Sequence, residues 1–203
     1  MSRYTGPKLR VIRALGSDLP GLTRKSRERR PYPPGQHGQA RRKLSEYALR
    51  LLEKQKLRMN YGLGERQLLN LLVEARARSG NTSEHLIELL ERRLDNVVFR
   101  AGFARTIPAA RQLISHGHIL VDGERVDIPS FRARLGHTIS VRERSKDLAA
   151  IAASLATPLP FATDWLSIEP VQRRAAITAL PTASSIPFTI NVQLVVEFYS
   201  QRT

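Results

Sequence analysis

The sequence predicts an α+β fold, with a mostly helical N-terminal domain that carries a basic extended arm and a small module of two helices packed on a small antiparallel twisted sheet. Three observations predict it. Chain breakers such as Gly6-Pro7 recur through the first 45 residues, and apolar residues at helical spacing follow from Leu44. Further on, two short apolar segments flank Asp122-Gly123, the dipeptide best suited to a two-residue hairpin turn.

Residues 1–45 form the predicted arm. They show little hydrophobic periodicity and hold 12 basic and 2 acidic side chains. Such a segment repels itself and offers little apolar surface for a core. We therefore expect an extension that is ordered by an anionic partner.

Residues 46–91 predict helices and carry 7 basic and 7 acidic side chains. Ser45 can cap a first helix that stops near Gly62, and a second helix begins at Gly64-Glu65. Asn81 and Glu84 have the spacing of a capping box for a third helix. This block is expected to be the helical part of the first domain.

Residues 92–148 predict the compact module. A short helix over 93–100 precedes Gly102, and Thr106 caps a second helix whose first turn contains Pro108. Strands are predicted over 118–121, 124–128 and 138–142, and a further helix starts at Ser145. We expect this module to be inserted in the helical domain, which residues 149–203 continue.

Residues 149–203 contain a predicted strand at 165–168 and an alternating apolar run near the C-terminus. The run comprises Ile190, Val192, Leu194, Val196 and Phe198, and its period of two favours a strand on its own.

The charge distribution indicates a phosphate-rich partner. The 203 residues carry a formal charge of +15, and 27 of the 33 basic residues are Arg, whose planar guanidinium pairs with phosphate oxygens. The excess is concentrated in 1–45 (+10) and 92–148 (+5), which predicts two contact surfaces. RNA is favoured over DNA because these residues lie on loops, helix ends and a sheet edge rather than on one long recognition helix.

Catalytic and metal-binding chemistry has little support in the sequence. Cysteine is absent, which excludes disulfides, thiolate metal sites and thiol nucleophiles. The commoner nucleotide-binding, hydrolase and zinc-protease motifs are missing, and His116 and His118 lack a nearby carboxylate pair. We expect no catalytic residue, no metal and no cofactor. No 18-residue apolar run or signal peptide is present, so a cytoplasmic location is expected.

Several motifs together resemble the family of bacterial ribosomal small-subunit protein four, in order and over nearly the whole chain. They lie at residues 3–8, 34–38, 53–58 with 61–62, 93–100 with 102–103, 110–116 and 194–200. The segment from Arg92 to about Ile151 resembles the RNA-binding module that this family shares with pseudouridine synthases and tyrosyl-tRNA synthetases.

The resemblance implies a primary rRNA-binding protein that binds 16S rRNA directly, nucleates assembly of the body of the small subunit and contributes to translational accuracy. Small-subunit proteins five and twelve are the implied protein partners. It also implies a helix over 190–200, where the alternation favours a strand, and we adopt the helix. Unlike some family members, this chain has no zinc-binding cysteines in its arm, so the arm must rely on RNA contacts and packing.

The predicted RNA-binding residues form two surfaces and a connection between them. The module supplies Arg92, Arg93, Arg105, Arg111, Gln112, Ser115, His116, Arg142, Arg144 and Lys146. The arm supplies Arg3, Lys8, Arg10, Arg13 and the cluster from Arg24 to Arg30, and Arg50, Lys54 and Arg58 join the two surfaces. The resemblance suggests that Arg41, Arg42 and Lys43 face messenger RNA where it enters the ribosome. The alternative function is an RNA-modifying enzyme, similar to a pseudouridine synthase, that carries the same module.

Overall fold

The structure is a computed structural model that describes residues 4–40, 43–157, 161 and 163–200. This part of the chain packs as two compact units. One runs to Leu86 and resumes at Phe188, and the other is Ile87–Pro187. The second unit includes residues 149–187, whereas the sequence-based division places them with the helical domain. The mixed helical and antiparallel class agrees with the predicted α+β fold.

The described strands lie in the second unit, and helices occur in both units. The helices are α1 (Lys8–Leu15), α2 (Glu46–Asn60), α3 (Glu65–Arg76), α4 (Thr82–Glu91), α5 (Leu94–Arg100), α6 (Ile107–Ser115), α7 (Ala149–Leu155) and α8 (Val192–Ser200). The strands are β1 (Ile119–Val121), β2 (Glu124–Arg125), β3 (Thr138–Val141), β4 (Leu166–Glu169) and β5 (Arg174–Ile177). Two short 3-10 helices span Glu143–Ser145 and Ala183–Ser185.

The predicted N-cap residues are confirmed as caps, although Glu84 bonds the side chain of Asn81 and not the backbone amide that a capping box uses. The Ser45 hydroxyl accepts a hydrogen bond from the Ala48 amide at 3.3 Å, and the Thr106 hydroxyl accepts one from the Ala109 amide at 3.4 Å. The Asn81 side chain accepts from the Ser83 amide at 3.0 Å and donates to the Glu84 carboxylate at 3.1 Å. Each cap satisfies an amide that the first helical turn leaves without an intrahelical partner.

The expectation of an arm without a core is wrong for its first part. Residues 8–15 form α1, and Ile12, Leu19 and Leu22 are buried together. Met59 and Phe188 pack against this cluster. The apolar residues of the arm are few, but their partners come from distant parts of the chain, so the sequence of the arm alone does not reveal the core.

The strand favoured by the alternation near the C-terminus is wrong, and the helix implied by the family resemblance is confirmed. In α8 the buried residues are Val192, Val195, Phe198 and Tyr199, which follow helical spacing. Leu194 and Val196, which belong to the alternating run, are only half-buried. The period-two pattern therefore combines apolar residues of the buried face of the helix with apolar residues beside it. α8 packs along α2 in the first unit.

The second unit is built on a five-stranded antiparallel sheet in the order β2-β1-β3-β5-β4. Its buried face includes Ile119 and Val121 of β1, Ile139 of β3 and Ala175 of β5. Ile139 lies opposite both Val121 and Ala175 in the register, so β3 is central to the apolar layer. α5 and α6 pack against each other beside this sheet.

The predicted hairpin turn is confirmed, but one predicted strand is too long and one strand was missed. Asp122 and Gly123 both have positive φ, at 52° and 87°, as a type I′ turn requires. β2 stops at Arg125 rather than at residue 128. β5 was not predicted, and it becomes a strand through its pairing with β3 and β4.

Candidate nucleic-acid interface

α6 presents a polar face because its apolar side is committed to the core. Ile107, Ala110, Leu113 and Ile114 are buried, which turns the remaining side chains outward. The outward residues are Gln112, Ser115 and His116, and all three are exposed. Their spacing of three and four residues places them on one side of the last turns of the helix. The structure thus brings together three of the predicted contact residues.

The segment after β3 adds basic side chains next to α6. Arg142 and Arg144 are exposed, and Lys146 is half-buried and 2.7 Å from the Glu143 carboxylate. Two hydrogen bonds fix this segment: the Arg142 amide donates to the His118 carbonyl at 2.9 Å, and Ser145 Oγ lies 2.9 Å from His118 Nδ1. The basic charges are therefore presented by backbone that is itself anchored to the sheet.

Asp95 holds two of the predicted RNA-binding arginines. Arg93 donates to both carboxylate oxygens of Asp95, at 3.1 and 2.9 Å, and Arg111 Nε donates to Oδ2 at 2.7 Å. Arg93 and Asp95 are buried, whereas the Arg111 side chain is partly exposed. Arg93 is thus bound to Asp95 inside the fold, whereas Arg111 is held by Asp95 at its Nε and still reaches the surface.

Arg92 and Arg105 also make contacts within the second unit. Arg92 bonds the Ala133 carbonyl at 2.9 Å and forms an ion pair with Glu88. Arg105 is exposed and donates one hydrogen bond to the Ala153 carbonyl at 2.9 Å. The remaining N–H groups of an arginine that makes one such bond can still reach a phosphate.

The three basic residues of α2 are held in ion pairs of the first unit. Lys54 is 4% exposed, and its ammonium lies 2.8 Å from Glu65 and 4.7 Å from the centre of the Phe198 ring. Arg58 pairs with the same Glu65 at 3.3 Å. Arg50 pairs with Glu46 and, at 3.1 Å, with Glu197 of α8. These cations connect α2 with α3 and α8.

The electrostatics of this network follow from its geometry. Burial alone would raise the pKa of Glu65, but hydrogen bonds from Lys54, Tyr199 and Arg58 favour the carboxylate, and its pKa lies below the ordinary 4.5. The hydrogen bond to Glu197 raises the pKa of Arg50 above its ordinary value. Both groups are therefore charged at neutral pH.

The arm carries exposed cations on a folded base. Arg10 is exposed and Lys8 is half-buried, while Arg13 donates to the Tyr32 carbonyl at 3.1 Å and lies over its ring. The turn that follows is organised by Asp18, which accepts hydrogen bonds from the Ser26 hydroxyl and the Arg27 amide. Lys43 is exposed, and Arg3, Arg41 and Arg42 lie outside the described residues.

The exposed arginines that the sequence reasoning did not select include Arg125 and Arg134. Arg125 lies on β2, and Arg134 follows the buried Ala133. The Arg125 guanidinium packs on Gly117, where a Cβ atom would overlap it. The short edge strand predicted around the hairpin could have identified Arg125, since residues alternate between the faces of a strand. Arg134 has no such signal because it lies in an irregular loop.

Two negative findings concern only the part of the chain that is described. No helix there is long and apolar enough to cross a membrane. Across the same residues, His, Asp and Glu side chains do not gather in groups of three or more that could hold a metal ion.

Comparison with known proteins gives matches across the whole chain. Residues 3–91 match the family model described as the ribosomal protein S4/S9 N-terminal domain, and residues 92–139 match the S4 domain, an RNA-binding domain. The chain is 53% identical to the small ribosomal subunit protein uS4 of Methylobacillus flagellatus over 204 residues, and 53% identical to uS4 of Synechococcus elongatus over 203 residues. It is 52% identical to uS4B of Nitrosomonas europaea, and every one of these alignments covers 100% of both chains.

The exposed basic and polar groups described above lie mainly on the unit that contains the S4 domain, where α6, the sheet and the segment after β3 converge. The full-length similarity and both family matches agree with the architecture and with the resemblance noted from the motifs. The chain belongs to the uS4 family of small ribosomal subunit proteins.

Proposed function

We propose that this chain is a structural constituent of the small ribosomal subunit and binds 16S rRNA directly. One observation carries the proposal. The outward face of α6 and the anchored segment after β3 expose Gln112, Ser115, His116, Arg142 and Arg144 on the S4-domain unit. Scattered cationic and hydrogen-bonding groups of this kind suit the phosphates and 2′-hydroxyls of a folded RNA.

The predicted residues divide into two groups by their internal contacts. Arg105, Arg111 and Lys146 complete the proposed RNA surface of the module. Arg93 and Lys54 are buried in ion pairs, and we infer that they act on RNA binding through the fold. We infer a structural role for Arg50 and Arg58 as well, because their ion pairs connect α2 with α8 and α3, and for Arg92, which bonds both the Ala133 carbonyl and Glu88.

The arm provides the second proposed RNA surface. Arg10 and Lys43 are exposed, and Lys8 lies on the same helix as Arg10. The core formed by Ile12 and its neighbours gives these cations a fixed base. We extend the proposal to Arg3 on rRNA and to Arg41, Arg42 and Lys43 on messenger RNA where it enters the ribosome.

The wider role rests on the family. We propose that the chain nucleates assembly of the body of the small subunit in the cytoplasm and contributes to translational accuracy beside small-subunit proteins five and twelve. The enzyme alternative is less favoured, because relatives named as ribosomal proteins match the whole chain, including the segments that flank the module.

Salt dependence of binding tests the proposal. If the protein neutralises about 6 to 10 phosphates, log affinity for 16S rRNA falls against log salt with a slope of about −4 to −9. Filter binding of the purified protein between about 50 and 200 mM salt measures the slope, with 23S rRNA as the competitor control. A slope near zero, or equal affinity for 23S rRNA, contradicts the proposal.

Stoichiometry separates the ribosomal function from the enzyme alternative. A structural constituent remains at about one copy per small subunit after a high-salt wash, whereas an enzyme that modifies RNA is present in smaller amounts and dissociates. Quantitative mass spectrometry of washed subunits distinguishes the two functions.

A further inference from the structure

A cleft lies between α6 and α7 in the second unit. Its volume is about 490 Å³, within the range of pockets that hold small organic groups. Phe103 and Leu113 line it from the core side, and Leu148 and Ala153 line it from the side of α7. These apolar side chains form a surface on which a planar ring can stack.

The polar residues of the cleft are cationic or neutral. Arg105, Gln112, His116 and His118 line it together with the apolar residues, and none of the carboxylates in the described part of the chain does. Arg105 is fixed across the cleft by its hydrogen bond to the Ala153 carbonyl. The Gln112 amide can both donate and accept hydrogen bonds, which matches the mixed edge of a nucleobase.

The cleft is continuous with the proposed RNA surface. Gln112 and His116 belong to both, and His118 is bonded to the backbone of Arg142 and to the side chain of Ser145. A strand of RNA that contacts Arg142 and Arg144 therefore passes beside the cleft. The cleft combines an apolar surface with nearby positive charge. This combination favours a nucleotide, which has an aromatic base and a phosphate, over an uncharged apolar side chain of a protein.

We propose that this cleft receives one unstacked base of the rRNA. The face of the base packs on Phe103, Leu113 and Leu148, its edge is read by Gln112, and the adjoining phosphate lies near Arg105. RNA-binding proteins commonly recognise unstacked bases in this way, through stacking and hydrogen bonds to the base edge. The inference rests on the proposed function and specifies how one nucleotide is held.

The test is to fill the cleft without altering the charge of the surface. Ala153→Phe places a ring in the cleft, and Ala152→Phe is the matched control because Ala152 is exposed on the same helix and does not line the cleft. Affinity for 16S rRNA and base-by-base chemical probing of the complex are measured, and circular dichroism and thermal unfolding establish that both variants fold.

The expected result for Ala153→Phe is a loss of affinity of about 5- to 150-fold, the range for one stacked base, with the salt slope unchanged. One or two unpaired nucleotides that the wild type protects regain reactivity, and all other protections remain. Ala152→Phe behaves as the wild type. Gln112→Ala, which changes an exposed side chain and so keeps the fold, exposes the same nucleotides at the base edge.

Three outcomes overturn the inference. The first is wild-type affinity and protection in both Ala153→Phe and Gln112→Ala. The second is an equal loss in Ala153→Phe and Ala152→Phe. The third is unchanged RNA binding with loss of Ala153→Phe from salt-washed subunits, which would assign the cleft to a protein partner. Failure of the proposed function is distinct, because the wild-type protein itself would then bind 16S rRNA without a salt slope.

Discussion

Arg111 Nε lies 2.7 Å from Oδ2 of Asp95, whose side chain is only 1% exposed. The two residues lie on α6 and α5, so the ion pair joins the helices and sets the position from which Arg111 leaves the core. The same carboxylate accepts two hydrogen bonds from the buried Arg93. One acidic residue thus balances a structural arginine and positions a surface one.

Asp95→Asn is expected to destabilise the protein strongly. It leaves the Arg93 guanidinium buried without its counter-charge, and breaking a buried ion pair costs about 3–5 kcal/mol. Urea unfolding measures the free energy of unfolding. Asp127→Asn is the control because Asp127 is exposed. A loss as small as that of Asp127→Asn would show that the pair does not stabilise the fold.

Arg144→Ala is expected to weaken RNA binding without changing stability. Arg144 is exposed on the anchored segment after β3, so its removal lowers the magnitude of the salt slope by about one. Arg66→Ala, also at an exposed arginine but on α3, serves as the control and is expected to leave the slope unchanged. Equal slopes for Arg144→Ala and the wild type would remove Arg144 from the interface.

Lys54→Met is expected to lower stability without changing RNA binding. The substitution keeps the aliphatic stem but removes the hydrogen bond to Glu65 and the cation over Phe198, which together contribute about 1–2 kcal/mol. Thermal and urea unfolding should detect this loss, while the salt slope stays at the wild-type value. Lys43→Met at an exposed lysine should leave stability unchanged. A reduced salt slope in Lys54→Met would contradict the structural role.

Acid destabilisation is expected to depend on Glu65. The pKa of Glu65 is lower in the folded protein than its ordinary 4.5, so the folded state favours the carboxylate. The resulting stability is present above the ordinary pKa and is lost as the pH falls through the lowered value.

Unfolding in urea at a series of pH values from neutral to acid tests this dependence. Glu65→Gln should lower stability at neutral pH and flatten the fall on the acid side, whereas Glu124→Gln at an exposed carboxylate should match the wild type. An unchanged acid profile in Glu65→Gln would assign the fall to other carboxylates.

Local sequence signals predicted the elements whose ends are determined locally. Ser45 and Thr106 cap helices through hydrogen bonds that span three residues, and Asp122-Gly123 forms its turn within one hairpin. Elements that depend on distant partners were missed or misread. The α1 core needs Phe188, and β5 becomes a strand only through its pairing with β3.

The difference between local and distant contacts also explains which residues of the site were placed correctly. Charge and periodicity correctly placed Gln112 and Ser115 on the outer side of α6, because the apolar residues of that helix identify its inner side. On α2, however, the i+4 spacing of Lys54 and its basic neighbours gives no sign of Glu65, eleven residues further on, which lies beside Lys54 in the fold. Whether a cation faces solvent or a buried carboxylate is decided by tertiary packing.

The region that matches the S4 domain ends inside the sheet, at its central strand β3. The S4-domain match ends at residue 139, within β3, whose last residue Val141 pairs with Ile119 and whose Ile139 lies opposite Ala175 of β5. A fragment cut at the limits of the match would lose half of its central strand and uncover an unpaired edge, which is prone to aggregation. The compact unit that contains β3 together with its neighbouring strands is Ile87–Pro187, a segment about twice as long as the region that matches the S4 domain.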